Sequence, residues 1–216
     1  MNTLFGFWVL YAYAYVIDDL FVQPRKRRKL NYRRGSISFG LLVGLPIVTI
    51  ALLLRGFVID FYHVPTRSME PLVSSDSTVF VDKTAYGLRN PIVGTRWTNG
   101  PPLVLGDVIA FSYPREPVTT YLKRVWGVPG DTIAVTAAGL ILNDELLLPN
   151  GTSEISVRLE GTDFTVLNEE RSIKEFDAVT VPEGHVFVMG DNLAYSQDSR
   201  HWGLVADYHI LGRAIL

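Results

Sequence analysis

Two residues in this chain are placed to do chemistry without a cofactor. Ser68 lies in "VPTRSMEP" (64–71), and Lys123 lies in "TTYLKRVWGVPGD" (119–131). There is no cysteine, which excludes disulfides, thiolate metal sites and thiolate nucleophiles. The G-x-S-x-G elbow, H-E-x-x-H, G-x-G-x-x-G and the phosphate-binding loop are all missing. His63, His185, His201 and His209 show no triad or metal spacing, and each reads as an ordinary surface or core histidine. A serine nucleophile here needs another base, and a neutral lysine can serve. Burial disfavours the ammonium and lowers its pKa. Lowering it by about three units costs roughly 4 kcal/mol, which calls for a dry site free of carboxylates. Strand alternation puts Tyr121, Lys123 and Val125 on one face, and Leu122, Arg124 and Trp126 on the other. Two readings of Lys123 stand on that pattern. It is an ordinary exposed strand lysine, or it faces inward while Arg124 points to water. Ser68 likewise reads as a turn residue between Pro65 and Pro71, or as a nucleophile.

The elements that would position these residues are uneven in composition. Residues 3–17 carry no charge and form a short candidate membrane span. Asp18 and Asp19 end it, and "RKRRKLNYRR" follows. Seven of the 20 basic residues lie between Arg25 and Arg34, where there is no acid. Residues 36–54, "SISFGLLVGLPIVTIALLL", form a second and stronger candidate span. A basic loop at 18–35 between two apolar runs predicts that the loop is cytoplasmic and that both ends lie outside. From Arg55 onward there are 13 basic and 20 acidic residues, a surplus of seven acids. That balance excludes nucleic acid as a partner for the domain. The rest of the chain is rich in short β-branched and aromatic runs punctuated by Gly, Pro, Asn and Asp. "STVFVDKTAYGL", "GDVIAFSYP", "TTYLKRVWGV", "DTIAVTAAGLILNDELLL" and "GHVFVMG" read as strands, with a hairpin turn at Asn143-Asp144. Helical periodicity is weak everywhere after the spans except near 168–176. The fold class expected is a mainly β domain anchored by two N-terminal transmembrane helices.

Four stretches carry a resemblance. "SMEP" with its preceding "VPTR", "GDVIAFSYP", "YLKRVWGVPGD" and "GDNLAYSQDSRHWG" (190–203) stand in the order and at the intervals of the boxes of bacterial type I signal peptidase. The match spans roughly residues 60–216, and the two preceding spans fit that family's anchor. The resemblance implies a signal-peptidase-like β fold and a Ser/Lys dyad, with Ser68 as nucleophile and Lys123 as general base. It implies that Thr66 donates to the oxyanion and that the Ser196 hydroxyl orients the lysine. Asp198 and Arg200 match a bracing ion pair, and Gly190, Asp191 and Asn192 shape the backbone beside the dyad. The pattern departs at Leu72, where threonine commonly follows the proline.

The activity implied is removal of N-terminal signal peptides from exported preproteins, cutting after small-x-small, with no metal and no cofactor. Val64, Met69, Tyr121 and Leu122 are the candidate walls of the substrate pocket. The expected organisation is an anchor over 1–58 and an extracytoplasmic catalytic domain over 59–216, with a small accessory β insertion at about 133–178. The expected location is the bacterial cytoplasmic membrane, multi-pass, in contact with lipid. Two alternatives stand beside this reading. One is a dedicated Ser/Lys maturation peptidase for a single exported substrate. The other is a non-catalytic, membrane-tethered module that binds signal peptides.

Overall fold

The computed structural model describes residues 32–90, 95–168 and 175–216, with the side chains of the first helix from Val43 onward. The chain divides into two compact units, 1–56 and 57–216. The first expected span, 3–17, lies outside the described residues. Helix α1 runs Tyr32–Phe57 and covers the second. Its leucines, isoleucines and valines favour burial or lipid, and Arg55 in the last turn complements the helix dipole. Pro46 is tolerated within it, and the Thr49 hydroxyl donates to Leu45 O at 2.8 Å. Among the described residues no helix is long and apolar enough to cross a membrane.

The second unit is mainly β. Its large sheet has seven strands in the order β1-β2-β13-β3-β4-β11-β12. They are β1 (Ile59–Val64), β2 (Ser77–Asp82), β3 (Val108–Tyr113), β4 (Glu116–Gly127), β11 (His185–Met189), β12 (Val205–Ala206) and β13 (Ile210–Ile215). Every pairing is antiparallel, so β1 and β4, four pairings apart, run in the same direction. β1 pairs only with β2, and β11 meets β4 only at Arg124, Val125 and Gly127. Among the described residues, each therefore has one edge on which no second strand pairs: β1 on the side away from β2, and β4 before residue 124.

Six more strands form two smaller sheets. β5 (Thr132–Thr136), β6 (Gly139–Leu142), β7 (Glu145–Pro149) and β10 (Phe176–Thr180) pair in the order β10-β5-β6-β7, while β8 (Glu154–Leu159) and β9 (Thr162–Leu167) form a hairpin. Asn143 and Asp144, with φ of 49° and 69°, make the tight turn between β6 and β7 that the sequence predicts. The helical stretch expected near 168–176 falls mostly outside the described residues, and its last residue, Phe176, begins β10. Leu140, Leu148, Val157, Phe164 and Val166 of these sheets share one apolar cluster with Trp126 of β4 and Phe187 and Met189 of β11. The large sheet is thus covered on that side too.

This covering corrects one expectation. Arg124 does not point to water. It is 2% exposed, and its guanidinium lies 3.9 Å over the Phe164 ring. Residues 122–127 of β4 are buried without interruption. Alternation assigns residues to two faces, but both faces of this strand are dry.

Candidate active site

Ser68 sits on the turn that follows β1. Val73 N–H donates to Met69 O at 2.9 Å and Glu70 N–H to Arg67 O at 3.2 Å, which winds the chain tightly around the serine. The turn is anchored by Met69. That residue is 0% exposed and packs with Val64, Val73, Val79, Val108 and Leu122. Met69 is therefore core, and the expectation that it lines the pocket is corrected: in a wound turn the side chain beside an outward residue points into the fold. From the other side, Asn192 N–H donates to Ser68 O at 3.1 Å. Gly190 packs against the same carbonyl, and a Cβ there would lie 2.2 Å from Ser68 O and 2.4 Å from Ser196 Oγ. Only glycine fits this approach. Gly190 and Asn192 both meet the backbone of Ser68. Asp191 has a different task.

Lys123 comes from the middle of β4, opposite Ile109 of β3. Its Nζ is 2.6 Å from Ser68 Oγ, although the two residues are 55 apart in the chain. Both are 4% exposed. The Thr66 hydroxyl stands 3.2 Å from Ser68 Oγ. Burial pulls the Lys123 ammonium down to about 8. Asp198 and Asp191 act against this, and Arg200 acts with it.

The site is therefore not free of carboxylates, contrary to what the chemistry of a neutral lysine suggests. Instead each nearby carboxylate is tied to an arginine. Asp191 takes a two-point contact from Arg124, Nε to Oδ1 at 2.7 Å and a terminal nitrogen to Oδ2 at 2.5 Å. The other terminal nitrogen donates to Gly106 O at 2.8 Å. Asp198 takes Arg200 Nε at 2.7 Å and a second Arg200 nitrogen at 2.8 Å. Burial alone would raise Asp198, but His201 and Arg200 outweigh it and hold this carboxyl well below its usual range. The arginines offset part of the pull that these carboxylates exert on the lysine, and burial prevails.

Asp198 also caps the short helix α2 (Ser199–Trp202), accepting from Arg200 N–H, while His201 closes the capping box. That is a structural use for one of the four histidines. Ser196 Oγ accepts from Gly190 N–H at 3.1 Å, and Gly190 N–H also reaches Asp198 Oδ2 at 3.2 Å. The Ser196 hydroxyl thus braces the glycine behind Ser68, whereas the lysine's hydrogen bond goes to Ser68 itself.

The dyad opens into a cleft of about 290 Å³. Its walls include Val64 with Tyr62 from β1, and Tyr121 and Leu122 with Thr120 from β4. Val79 and Ala110 also line it, and Tyr195 and Gln197 border it from the loop after Asn192. Three of the four expected wall residues are present. Tyr195 and Gln197 carry no chemical signature in the sequence and were reachable only through the fold.

The arrangement can transfer an acyl group: a hydroxyl nucleophile, a buried amine of depressed pKa beside it, and a second hydroxyl within reach of the reacting oxygen. Comparison with known proteins agrees. The family model described as "Signal peptidase, peptidase S26" matches residues 37–216. "Signal peptidase I" of Pseudomonas aeruginosa is 33% identical over 88% of this chain and 75% of its own length. "Signal peptidase I" of Pseudomonas fluorescens is 30% identical over 92% and 84%. A crystal structure of a signal peptidase I from Enterococcus faecalis aligns over 52% of this chain and 97% of its own, at 30% identity and a TM-score of 0.36. This chain is a member of the signal peptidase family of serine peptidases, peptidase S26.

Proposed function

We propose that this protein removes N-terminal signal peptides from exported preproteins, using Ser68 as nucleophile and Lys123 as general base. The observation that carries this reading is the 2.6 Å contact between Lys123 Nζ and Ser68 Oγ at a buried site. Neutral Lys123 takes the hydroxyl proton as Ser68 Oγ attacks the scissile carbonyl. The developing oxyanion is met by the Thr66 hydroxyl and the Ser68 N–H. Lys123 then gives its proton to the leaving amine, freeing the mature protein and leaving an ester on Ser68. A water deprotonated by Lys123 hydrolyses the ester and releases the signal peptide. Ser196, Asp198 and Arg200 act in this scheme by fixing the loop behind Ser68.

The substrate would bind extended between β1 and β4, by strand addition to their open edges. Val64 and Leu122, with Val79 and Ala110, narrow the cleft and suit small side chains. The anchor belongs to the same proposal. Residues 1–58 form two spans around a cytoplasmic basic loop, and 59–216 form the catalytic domain with an accessory insertion at 133–178. The supporting observation is that Ile47, Val48, Ile50, Leu53 and Leu54 of α1 are all exposed, and an apolar surface on every side of a helix suits lipid. The domain then faces outward from a bacterial cytoplasmic membrane. Protease added to intact spheroplasts should digest it, and protection would overturn the orientation.

The test of function is a panel of unrelated preproteins with small-x-small sites, incubated with wild type and Ser68→Ala. Cleavage of most of them by wild type alone is expected. Cutting of a single member would favour a dedicated maturation peptidase. No cutting at all would favour a binding module. In the same assay Thr66→Val is expected to lower kcat by about 10²-fold with KM little changed. An unchanged kcat removes Thr66 from the oxyanion site.

The base also sets a pH dependence. With Lys123 titrating at about 8, only the minority of enzyme molecules with a neutral lysine is competent at pH 7. kcat/KM should rise about tenfold per pH unit up to roughly pH 8 and then level. A profile flat between pH 6 and 9 would exclude Lys123 as the base.

A further inference from the structure

The cleft has one end that the reading above leaves unused. β1 and β4 run in the same direction, and both reach the dyad toward their C-terminal ends. At that end stands Tyr195, 51% exposed. Arg67, the residue before the nucleophile, lies with its guanidinium carbon 4.7 Å over the Tyr195 ring. Its Nε donates to Glu70 Oε2 at 2.9 Å. The arginine side chain is half exposed, whereas Glu70 is more deeply set, at 50% and 21%. A guanidinium stacked on an aromatic face and held by a carboxylate has lost much of its rotamer freedom before any ligand arrives. A chain bound along β1 and β4 and cut at Ser68 must continue past this spot.

We propose that Arg67, seated on Tyr195 and oriented by Glu70, selects for the residues immediately after the scissile bond, favouring an acidic side chain there and disfavouring a basic one. The inference rests on the proposed peptidase activity. The physical basis is local charge. The domain as a whole carries a surplus of acids and repels acidic segments, while the more exposed partner of this pair is a cation. Contacts between exposed charges are weak, so attraction of an acid combined with repulsion of a base changes relative rates by about three- to tenfold.

The experiment uses the full-length enzyme in detergent and three peptides that share one small-x-small site. They carry Asp, Ala or Lys in the first position after the bond. The readout is the ratio of kcat/KM for the Asp and Lys peptides at low salt. Wild type should show a ratio above one. Arg67→Met should lower it about three- to tenfold, and Glu70→Gln, which leaves Arg67 less neutralised, should raise it. High salt should bring the variants together. Ratios that agree in wild type, Arg67→Met and Glu70→Gln would overturn the inference even where all three peptides are cut. Failure of wild type to cut the Ala peptide would instead overturn the peptidase reading on which it rests.

Discussion

Replacing Lys123 with methionine is expected to abolish cleavage and to raise the melting temperature at the same time. The loss of activity follows from the proposed role. Removing one member of a nucleophile–base pair typically lowers kcat by about 10⁴-fold or more. The gain in stability follows from linkage. Lys123 titrates at about 8 in the folded chain, against 10.5 for a free lysine. The folded state therefore holds this proton less tightly than the unfolded state. Below about pH 8 both states are protonated, and the fold carries the full penalty of roughly 3 kcal/mol. Between pH 8 and 10.5 the folded state is already neutral while the unfolded state is not, so the penalty fades as pH rises. Methionine keeps the length and removes the charge. It gives up the contact with Ser68, worth roughly 1 kcal/mol. The net gain of about 2 kcal/mol corresponds to about 4–8 °C for a domain of this size. Calorimetry at pH 6.5 should show this gain, and at pH 10.5 it should have largely vanished. A variant that melts lower at pH 6.5, or still cleaves, would refute the account of the lysine.

The second large effect is expected at a residue with no part in bond making. Asp191→Ala should destabilise the fold by about 3–5 kcal/mol. The carboxylate is 0% exposed, and its partner Arg124 is 2% exposed. Removing Asp191 leaves a guanidinium buried between Phe164 and Gly106 O with no counter-charge. It also removes a group that keeps Lys123 protonated, so any residual activity should titrate at lower pH. The pair as a whole need not be stabilising. Arg124→Met with Asp191→Leu should recover most of the lost stability, because an apolar pair avoids the desolvation that both charges now bear. Chemical denaturation of the four species would measure the coupling, and a single-variant loss under 1 kcal/mol would refute the buried pair.

How far the sequence led is clearest along β4. Its β-branched and aromatic run was legible as a strand, and Lys123 within it as a candidate base. The fate of Arg124 was not legible, because period-two alternation separates two faces without saying what covers them. The cover comes from β5–β10, and part of that region carried only weak signals. The β8–β9 hairpin turns at Glu160-Gly161, both at positive φ, and lacks the Asn-Gly or Asp-Gly marker that makes such turns visible. β1 was hidden for another reason. "IDFYHV" follows directly on the apolar run of α1, so composition shows no boundary between helix and strand. At the site, residue types gave Ser68 and Lys123 as candidates, and order and spacing gave the resemblance that joined them. The Asp198–Arg200 pair was implied by the resemblance, but the neutralisation of Asp191 by Arg124 depends on side-chain geometry that no spacing encodes.

The two open strand edges that flank the cleft turn cleavage accuracy into a question of alignment. A chain lying between β1 and β4 presents alternate side chains to the same wall. The first and third residues before the bond then share a direction, and the second points away. A demand for two small residues separated by one unselected residue is what such a groove would impose. A slip of one residue would turn every side chain to the opposite face and drive the unselected residue against Val64 and Leu122. A slip of two restores the facing. Errors made by this groove should therefore fall two residues from the correct cut, not one, and the ragged ends of its products would reveal the pleat that held them.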